Sequence, residues 1–381
     1  MTALSAGHFA TDFAHGALPA LLPFFVDRFG LSYTLAAAVM LASTAASSLV
    51  QPLFGAWSDR RGALWLLPAG VALAGIGLAA AAPAYWLVLL LVVVSGLGVA
   101  AFHPEGSKFA AYASGSKRAS GMSLFSVGGN VGYALGPTVT TPIVLALGLT
   151  GGLLLALPVL AIAGALLLVL PFLSGFAPQS GERTATSGRD RPGALVLLLG
   201  VIAFRSVAWF GLITFVPLWE VSLGNSKAYG SHLLSLMLLT GGLGTIAAGP
   251  LADRFGRRPV LLATTGATAP LTFVYVAVGG IPGAIALALV GVCVISTFGV
   301  TMVMSQEYLP SRIGMASGLS IGLSIGLGGI AAVGLGALAD SVDLQAAMYA
   351  AAAAPLVAVA LAALLPATRP PQRRLEPEPV L

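Results

Sequence analysis

The stretch Gly249-Pro-Leu-Ala-Asp253-Arg254-Phe-Gly256-Arg257-Arg258 recurs, one residue shorter, as Gly55-Ala-Trp-Ser-Asp59-Arg60-Arg61-Gly62. Gly249 and Gly55 stand 194 residues apart, and the same offset separates Pro217 from Pro23. Each copy follows a long apolar segment and ends it with a carboxylate and adjacent arginines. The repetition predicts two related halves, each with a charged loop after its second apolar segment.

The composition around these stretches is that of an integral membrane protein. Of 381 residues, 57% are apolar and 8% charged, and the mean hydropathy is +0.96, whereas soluble domains carry about 25% charged residues. A membrane-spanning helix needs roughly 20 apolar residues, and the 48 glycines suit close helix packing. We predict an all-α membrane protein whose twelve transmembrane helices form two pseudo-symmetric six-helix bundles. The predicted spans are 5–28, 34–57, 64–83, 85–107, 118–146, 150–173, 193–219, 229–251, 258–279, 283–306, 313–339 and 343–366.

The basic residues predict how the chain is oriented. Fifteen of the eighteen lysines and arginines fall in loops on one side of the predicted spans, against two on the other. The positive-inside rule therefore places both termini in the cytoplasm. The predicted domains are an N-terminal six-helix half at 1–173, a cytoplasmic linker at 174–192, a C-terminal six-helix half at 193–366 and a disordered cytoplasmic tail at 367–381.

Three ionisable residues lie inside the first predicted span. His8, Asp12 and His15 stand at i, i+4 and i+7, so a helix places them on one face. Ionisable side chains are costly inside a membrane and mark functional sites, and a carboxylate beside an imidazole can exchange protons. We predict a proton-coupling site. The alternative is that His8 lies at the membrane interface and His15 only packs.

Arg205 is the only Lys or Arg within the interior of a predicted span; the others in spans are terminal residues. At the repeat offset it corresponds to Thr11, next to Asp12, which places it across a central cavity from the first helix. It can serve as a counter-ion for Asp12 or anchor an anionic group through its bidentate guanidinium; a purely structural ion pair is the remaining alternative. The aromatic residues predicted to line the cavity are Phe24, Phe25, Trp209 and Phe215.

A second group of candidates ends the fourth span. His103-Pro104-Glu105 combines an imidazole, a residue that lacks a backbone donor and a carboxylate, which suggests a helix break that works as a gate or proton exit. Glu105 can instead form a simple i, i+3 pair with Lys108. Glu307 occupies the comparable end of the tenth span and invites the same interpretation.

The two charged loops are predicted to gate the cytoplasmic side. A carboxylate at a helix end can cap a neighbouring helix, and arginines can bridge to facing carboxylates, so the loops can latch this side shut. The alternative is that the charges only set the topology. The predicted latch residues are Asp59, Arg60, Asp253, Arg254, Arg257 and Arg258.

The stretch ending at Arg258 resembles the loop motif of the major facilitator superfamily, whose members bind substrate near the midplane between two six-helix halves. Gly132-Tyr-Ala-Leu-Gly136-Pro137 is similar to the antiporter motif of its drug exporters. Five further strings resemble the bacterial fosmidomycin-resistance branch of this superfamily: His8-Phe-Ala-Thr-Asp12, Ser48-Leu-Val-Gln51-Pro52, Phe102-His103-Pro104-Glu105, Val127-Gly128-Gly129-Asn130 and Glu307-Tyr-Leu-Pro310-Ser-Arg312.

This resemblance implies proton-coupled export of small drugs, including the phosphonate antibiotic fosmidomycin, across a bacterial inner membrane by alternating access. It implies a gating role for Gly132, Gly136 and Pro137. The residues that it marks for testing are Asp12, His8, His103, Glu105, Arg205 and Glu307.

The expected partners are a small-molecule substrate, protons and the lipid bilayer, with no nucleic acid, and the expected state is a monomer. No metal and no cofactor beyond the proton gradient is expected, and no Walker-type phosphate loop is present in the sequence. One alternative is a proton-coupled uptake symporter for an organic anion or sugar. The other is a membrane-embedded enzyme or sensor that transports nothing, whereas our prediction is that the protein is not an enzyme.

Overall fold

The computed structural model describes residues 1–61, 63–78, 83–115, 118–176 and 189–366, with only the backbone described at 59–61, 118–120, 313–314 and 317–318. Most of these residues are helical. The helices are α1 (Thr2–Phe29), α2 (Tyr33–Arg61), α3 (Leu66–Ile76), α4 (Tyr85–Ala113), α5 (Arg118–Leu147), α6 (Gly152–Ser174), α7 (Pro192–Ser222), α8 (Lys227–Phe255), α9 (Arg257–Val278), α10 (Gly280–Tyr308), α11 (Ile313–Ser341) and α12 (Leu344–Ala363). The predicted tail at 367–381 and residues 177–188 of the predicted linker lie outside the described residues.

The predicted all-helical fold is confirmed, and each predicted span overlaps one helix. Within the described ranges, ten helices are long and apolar enough to cross a membrane. α3 is a shorter apolar helix that ends just before residues 79–82, which are outside the described ranges. α5 is less apolar because glycine, serine and threonine interrupt it, and its position between α1 and α8 keeps much of it away from lipid.

The helices form two bundles with equivalent internal packing. In the first, α1 packs against α5, and α2 against α4; in the second, α7 packs against α11, and α8 against α10. The bundles meet through α2 with α11 and through α5 with α8. Advancing each helix number by six exchanges these two contacts, so the sequence repeat appears as a pseudo-two-fold arrangement.

The predicted helix break at Pro104 is wrong, because α4 continues through this residue to Ala113. A proline inside a helix removes one backbone hydrogen bond and crowds the preceding turn. Here α2 and α3 pack along α4 and hold it in place. The residues on either side of Pro104 are therefore positioned by a regular helix.

The bundles are locked together on the side where α1 and α7 end, which we call the far side. The Asp340 carboxylate of α11 accepts hydrogen bonds from the backbone N–H groups of Tyr33 (2.8 Å) and Thr34 (2.9 Å) at the start of α2. The ammonium group of Lys227 on α8 pairs with Asp27 on α1. These contacts join the two bundles through α2 with α11 and through α1 with α8.

The opposite side, where α1 and α7 begin, carries the linker, and we call it the linker side. Apolar side chains near the linker-side ends of α2 and α8 are largely exposed: Leu49 at 75%, Leu53 at 67%, Leu243 at 65% and Ile246 at 63%. Along α11, Gly329 and Gly336 lie against Thr44 and the backbone at residues 33–34 of α2. A Cβ atom at Gly322 or Gly326, nearer the linker side, would in contrast meet nothing within 4 Å among the described residues. α11 therefore separates from α2 toward the linker side, and the bundles diverge there.

Candidate functional site

A central cavity of about 260 Å³ lies between the two bundles. The N-terminal bundle contributes Asp12, His15, Ser47, Gln51, Val99, His103, Asn130 and Tyr133, and the C-terminal bundle contributes Trp209, Phe210, Phe298 and Ile325. The first wall is rich in polar and ionisable side chains, whereas the second is apolar and mostly aromatic. We refer to them as the polar wall and the aromatic wall.

Asp12 is the centre of the polar wall. One carboxylate oxygen lies 3.0 Å from Nε2 of His103 on α4, and the other lies 3.2 Å from Nε2 of His8 on α1. The side chains of His8, Asp12 and His103 are 13%, 17% and 24% exposed, so the cluster is buried but reachable from the cavity. The i, i+4 spacing brings His8 to Asp12, and the packing of α1 against α4 adds His103.

The contacts of His8 indicate where the protons of the His8–Asp12 pair lie. Nδ1 lies 2.8 Å from the carbonyl oxygen of Phe125, and because a carbonyl oxygen only accepts, Nδ1 carries a hydrogen. Nε2 then faces Asp12 either as the second N–H of an imidazolium or as the acceptor of a proton from a neutral carboxyl group. Both forms hold one proton more than a neutral imidazole beside a carboxylate, and this is the proton that the pair can exchange.

The same three residues are those best placed in the described chain to hold a metal ion. Their ligand atoms lie within 4.8 Å of one another. Each imidazole Nε2 is, however, already directed at an Asp12 oxygen, so both carboxylate oxygens have an imidazole partner without an ion.

His15 lies on the predicted face of α1 but outside the cluster. It lines the cavity, packs edge-on against the Tyr133 ring at 5.4 Å, and its buried Nε2 has no hydrogen-bond partner among the described residues. Its surroundings are those of a packing histidine. His103 takes the second imidazole position that the sequence pattern suggested for His15.

Glycines of α5 bring this helix against α1. A Cβ atom at Gly132 would collide with the Phe9 carbonyl oxygen, and one at Gly136 would collide with the backbone at Ala17. Pro137 follows within the same continuous helix. The close crossing holds the carbonyl group of Phe125 against His8, so the motif positions the polar wall.

Glu105 lies on α4 two residues beyond His103 but makes different contacts. Its side chain is fully buried, one carboxylate oxygen is 2.9 Å from Nζ of Lys108, and the same oxygen accepts a hydrogen bond from Ser58 on α2. The i, i+3 pair with Lys108 is thus formed. Glu105 links α2 to α4 on the linker side, away from Asp12.

The C-terminal charged loop joins helices within its own bundle. Arg257 donates to Glu307 at 2.5 Å between α9 and α10, and Arg258 donates to the Ala362 and Ala363 carbonyl oxygens at the end of α12. Arginine at such a position satisfies carbonyl groups that the helix end leaves free. Asp253 and Arg254 are exposed at the end of α8. The side chains of Asp59 and Arg60, in the first loop, are outside the described residues.

Arg205 of α7 lies behind the aromatic wall and is fully buried, with 2% exposure. Its Nη atoms donate to the hydroxyl groups of Thr297 (3.0 Å) and Ser324 (2.7 Å). The guanidinium carbon lies 3.7 Å from the centroid of the Phe298 ring, a cation–π contact worth about 2 kcal/mol when desolvated. Within the described part of the chain no carboxylate pairs with it, so the predicted ion pair with Asp12 is absent in this conformation.

The predicted aromatic lining is only partly found. Trp209 lines the cavity, whereas Phe25 and Phe215 are buried in the hydrophobic core. Phe24 lies on the far side below Nζ of Lys227, 5.1 Å from its ring centroid. A helix carries aromatic residues on every face, and composition alone does not tell which face meets the cavity.

Several cavity residues were not identified from the sequence as site candidates. Phe210, Phe298 and Tyr133 supply aromatic surface, and Gln51 and Asn130 supply polar groups. Asn130 and Gln51 stand within strings that resemble the fosmidomycin-resistance branch, which is the signal that would have marked them. Phe298 has no such signal, because only packing against Arg205 distinguishes it.

Comparison with known proteins agrees with this architecture. The Major Facilitator Superfamily model matches residues 4–319 and 197–380. An uncharacterised MFS-type transporter of Bacillus subtilis, YfnC, is 35% identical over 94% of this chain and 90% of its own. The fosmidomycin resistance protein of Escherichia coli is 30% identical over 90% of this chain and 87% of its own.

Among solved structures, the nucleoside transporter NupG superposes with a TM-score of 0.76 at 14% identity, over 95% of this chain and 98% of that one. At this identity the similarity shows the fold alone. The predicted fold and the expectation of a transporter, not an enzyme, are confirmed by these relationships. With two matching bundles, apolar helices throughout and relatives that align over nearly their whole length, this chain is a multi-pass membrane transporter of the Major Facilitator Superfamily.

Proposed function

We propose that this protein exports small drugs, among them phosphonate antibiotics of the fosmidomycin type, in exchange for protons. The observation that carries the proposal is the Asp12 cluster, in which a carboxylate reachable from the central cavity is hydrogen-bonded to two histidines. The similarity to the fosmidomycin resistance protein supports the substrate class.

The proton-exchange step follows from the geometry of the cluster. In this conformation the His8–Asp12 pair holds an exchangeable proton, and the bundles diverge toward the linker side. Release of that proton to the linker side leaves a negative carboxylate in the polar wall. Reloading requires access from the far side, so the contacts of Asp340 and Lys227 must open. Alternating access then couples one movement of the bundles to one passage of the proton.

Orientation and location complete the proposal. The linker side carries most of the basic loop residues, so we assign it to the cytoplasm, and the membrane to the bacterial inner membrane. Both termini are then cytoplasmic, and the described conformation faces inward. The energy source is the proton gradient, and the functional unit is a monomer.

Proteoliposome flux tests the proposal. Uptake of labelled fosmidomycin is measured with and without an inside-acid gradient for the wild type, Asp12→Asn and the control Asp190→Asn. Asp190 is exposed at the surface, where its carboxylate accepts hydrogen bonds from Ser311. Gradient-driven uptake in Asp12→Asn is expected to fall at least about tenfold, because an amide cannot exchange the proton; a factor of this size corresponds to a typical coupling free energy between two sites. Asp190→Asn is expected to behave as the wild type.

Other outcomes separate the alternatives. Gradient-driven uptake that persists in Asp12→Asn would contradict the assigned proton site and direct attention to Glu105 and Glu307. Stimulation by an outside-acid gradient would indicate symport. Absence of flux from protein shown to be folded by its thermal transition would eliminate fosmidomycin as a substrate.

A further inference from the structure

We propose that Phe298 covers a closed anion site centred on Arg205, and that a phosphonate or carboxylate group binds this guanidinium when the ring moves aside. The inference deepens the proposed function, since it names the group of the substrate that the aromatic wall recognises. It assigns Phe298 as the residue that controls access to the site.

The first argument is the unused binding capacity of Arg205. A guanidinium has five N–H donors, and hydroxyl groups accept from only the two Nη atoms. Nε is buried and has no hydrogen-bond partner in the described part of the chain. A buried charge without a counter-ion is unfavourable, so an anion that reached this edge would gain a charge-assisted and bidentate contact.

The second argument is the position of the Phe298 ring. It lies 3.7 Å from the guanidinium carbon and also lines the central cavity, whereas Arg205 does not. The Phe298 ring therefore lies between the guanidinium group and the cavity. The Phe298 ring also packs edge-on against the ring of Trp209, with 6.2 Å between centroids. Trp209 therefore offers an apolar surface against which a displaced Phe298 ring can pack.

The third argument is that the guanidinium is held in a fixed orientation. Thr297 belongs to α10 and Ser324 to α11, and the Ser324 hydroxyl also contacts Ser206 on α7 at 2.9 Å. These hydroxyl groups fix the Nη edge and leave the Nε edge unbonded. The guanidinium is therefore held in place with an unbonded Nε edge, the arrangement that a bidentate anion needs.

The substrate chemistry follows from the site. The anionic group is a phosphonate or a carboxylate, because both match the planar donor fork of arginine. The rest of the molecule must fit a cavity of about 260 Å³ with one aromatic and one polar wall. A compact organic anion meets both requirements.

Access to Arg205 can be measured without transport. Purified full-length protein in detergent is treated with phenylglyoxal, an arginine-specific dicarbonyl, and modification of Arg205 is followed by peptide mass spectrometry. The variants are Phe298→Ala, Phe298→Leu and the control Phe210→Ala, which removes another cavity aromatic. Modification in Phe298→Ala is expected to be roughly tenfold faster than in Phe210→Ala, with Phe298→Leu between them.

Anion binding is read in the same assay. Methylphosphonate is expected to slow the modification of Arg205 in Phe298→Ala in a saturable manner, whereas its neutral dimethyl ester gives no protection. An Arg205 that is equally unreactive in Phe298→Ala and Phe210→Ala, or reactive without protection by methylphosphonate, would overturn the proposal and leave Arg205 as a brace. The test needs neither fosmidomycin nor a proton gradient, so its result is independent of the flux experiment.

Discussion

The two walls of the central cavity are built on equivalent helices but present opposite chemistry. The polar wall exposes a carboxylate and two imidazoles to the cavity, whereas the Arg205 guanidinium of the other half lies behind the Phe298 ring of the aromatic wall. A duplicated scaffold thus carries an exposed carboxylate–imidazole cluster in one half and a covered cation in the other. Pseudo-symmetry of the backbone does not extend to the chemistry of the side chains.

The divergence is visible at single positions. At the repeat offset Arg205 corresponds to Thr11, and Ser206 to Asp12. The Thr11 hydroxyl donates to the Gly7 carbonyl oxygen of its own helix and needs nothing further, whereas Arg205 retains a free donor edge. The charged residue therefore stands one position earlier in the second half than in the first, and it turns toward α10 and α11.

The largest effect is expected from a substitution at the crossing of α1 and α5, which supports the polar wall. Gly132→Ala places a methyl group against the Phe9 backbone, which cannot move aside, and we expect a loss of about 3 kcal/mol of folding stability. In the other half, Gly328 meets the Phe210 ring, which can turn into the cavity, so Gly328→Ala should lose less. Thermal unfolding in detergent measures both. Equal melting temperatures would contradict the rigid crossing of α1 and α5.

A smaller effect is expected when the C-terminal half is given a carboxylate of its own, as the polar wall has in Asp12. Ser324→Asp places a carboxylate beside Nη2 of Arg205 and supplies the missing counter-ion from within the protein. In the Phe298→Ala background, where Arg205 is accessible, we expect Ser324→Asp to abolish protection by methylphosphonate. Folding stability should change by about 1 kcal/mol or less, because desolvation of the new charge offsets the attraction. Ser324→Asn in the same background is the neutral control and should still bind the anion. Retained anion binding in Ser324→Asp would show that the anion binds elsewhere.

The smallest effect on transport is expected at His15, and it distinguishes the role of this residue from that of His103. His15→Phe keeps an aromatic ring against Tyr133 and removes a buried nitrogen without a partner, so stability should rise by about 1 kcal/mol. Gradient-driven flux should stay within about twofold of the wild type, since His15 lies outside the hydrogen-bonded cluster. His103→Phe in the same assays should lose coupling. A similar loss in His15→Phe would place His15 in the proton path.

The parts that could be predicted from the sequence are those set by local pattern. Apolar length fixed the helices, and the i, i+4 spacing of His8 and Asp12 put both on one face. The partner His103 could be recognised as a candidate but not joined to Asp12, because the contact depends on how α1 packs against α4. Phe298 could not be identified as a site residue, because an aromatic residue in an apolar helix has no distinguishing sequence pattern. The helix break predicted at Pro104 was wrong, because tertiary packing keeps α4 continuous.

The far-side lock has a consequence for how the protein can change in evolution. Asp340 holds the start of α2 mainly through the backbone N–H groups of residues 33 and 34. Every amino acid except proline supplies such a group. Any substitution at these two positions other than proline therefore keeps the backbone contact, and a change at Thr34 gives up only the additional hydrogen bond from its hydroxyl group. On the α11 side, in contrast, this contact depends on a single side chain, that of Asp340.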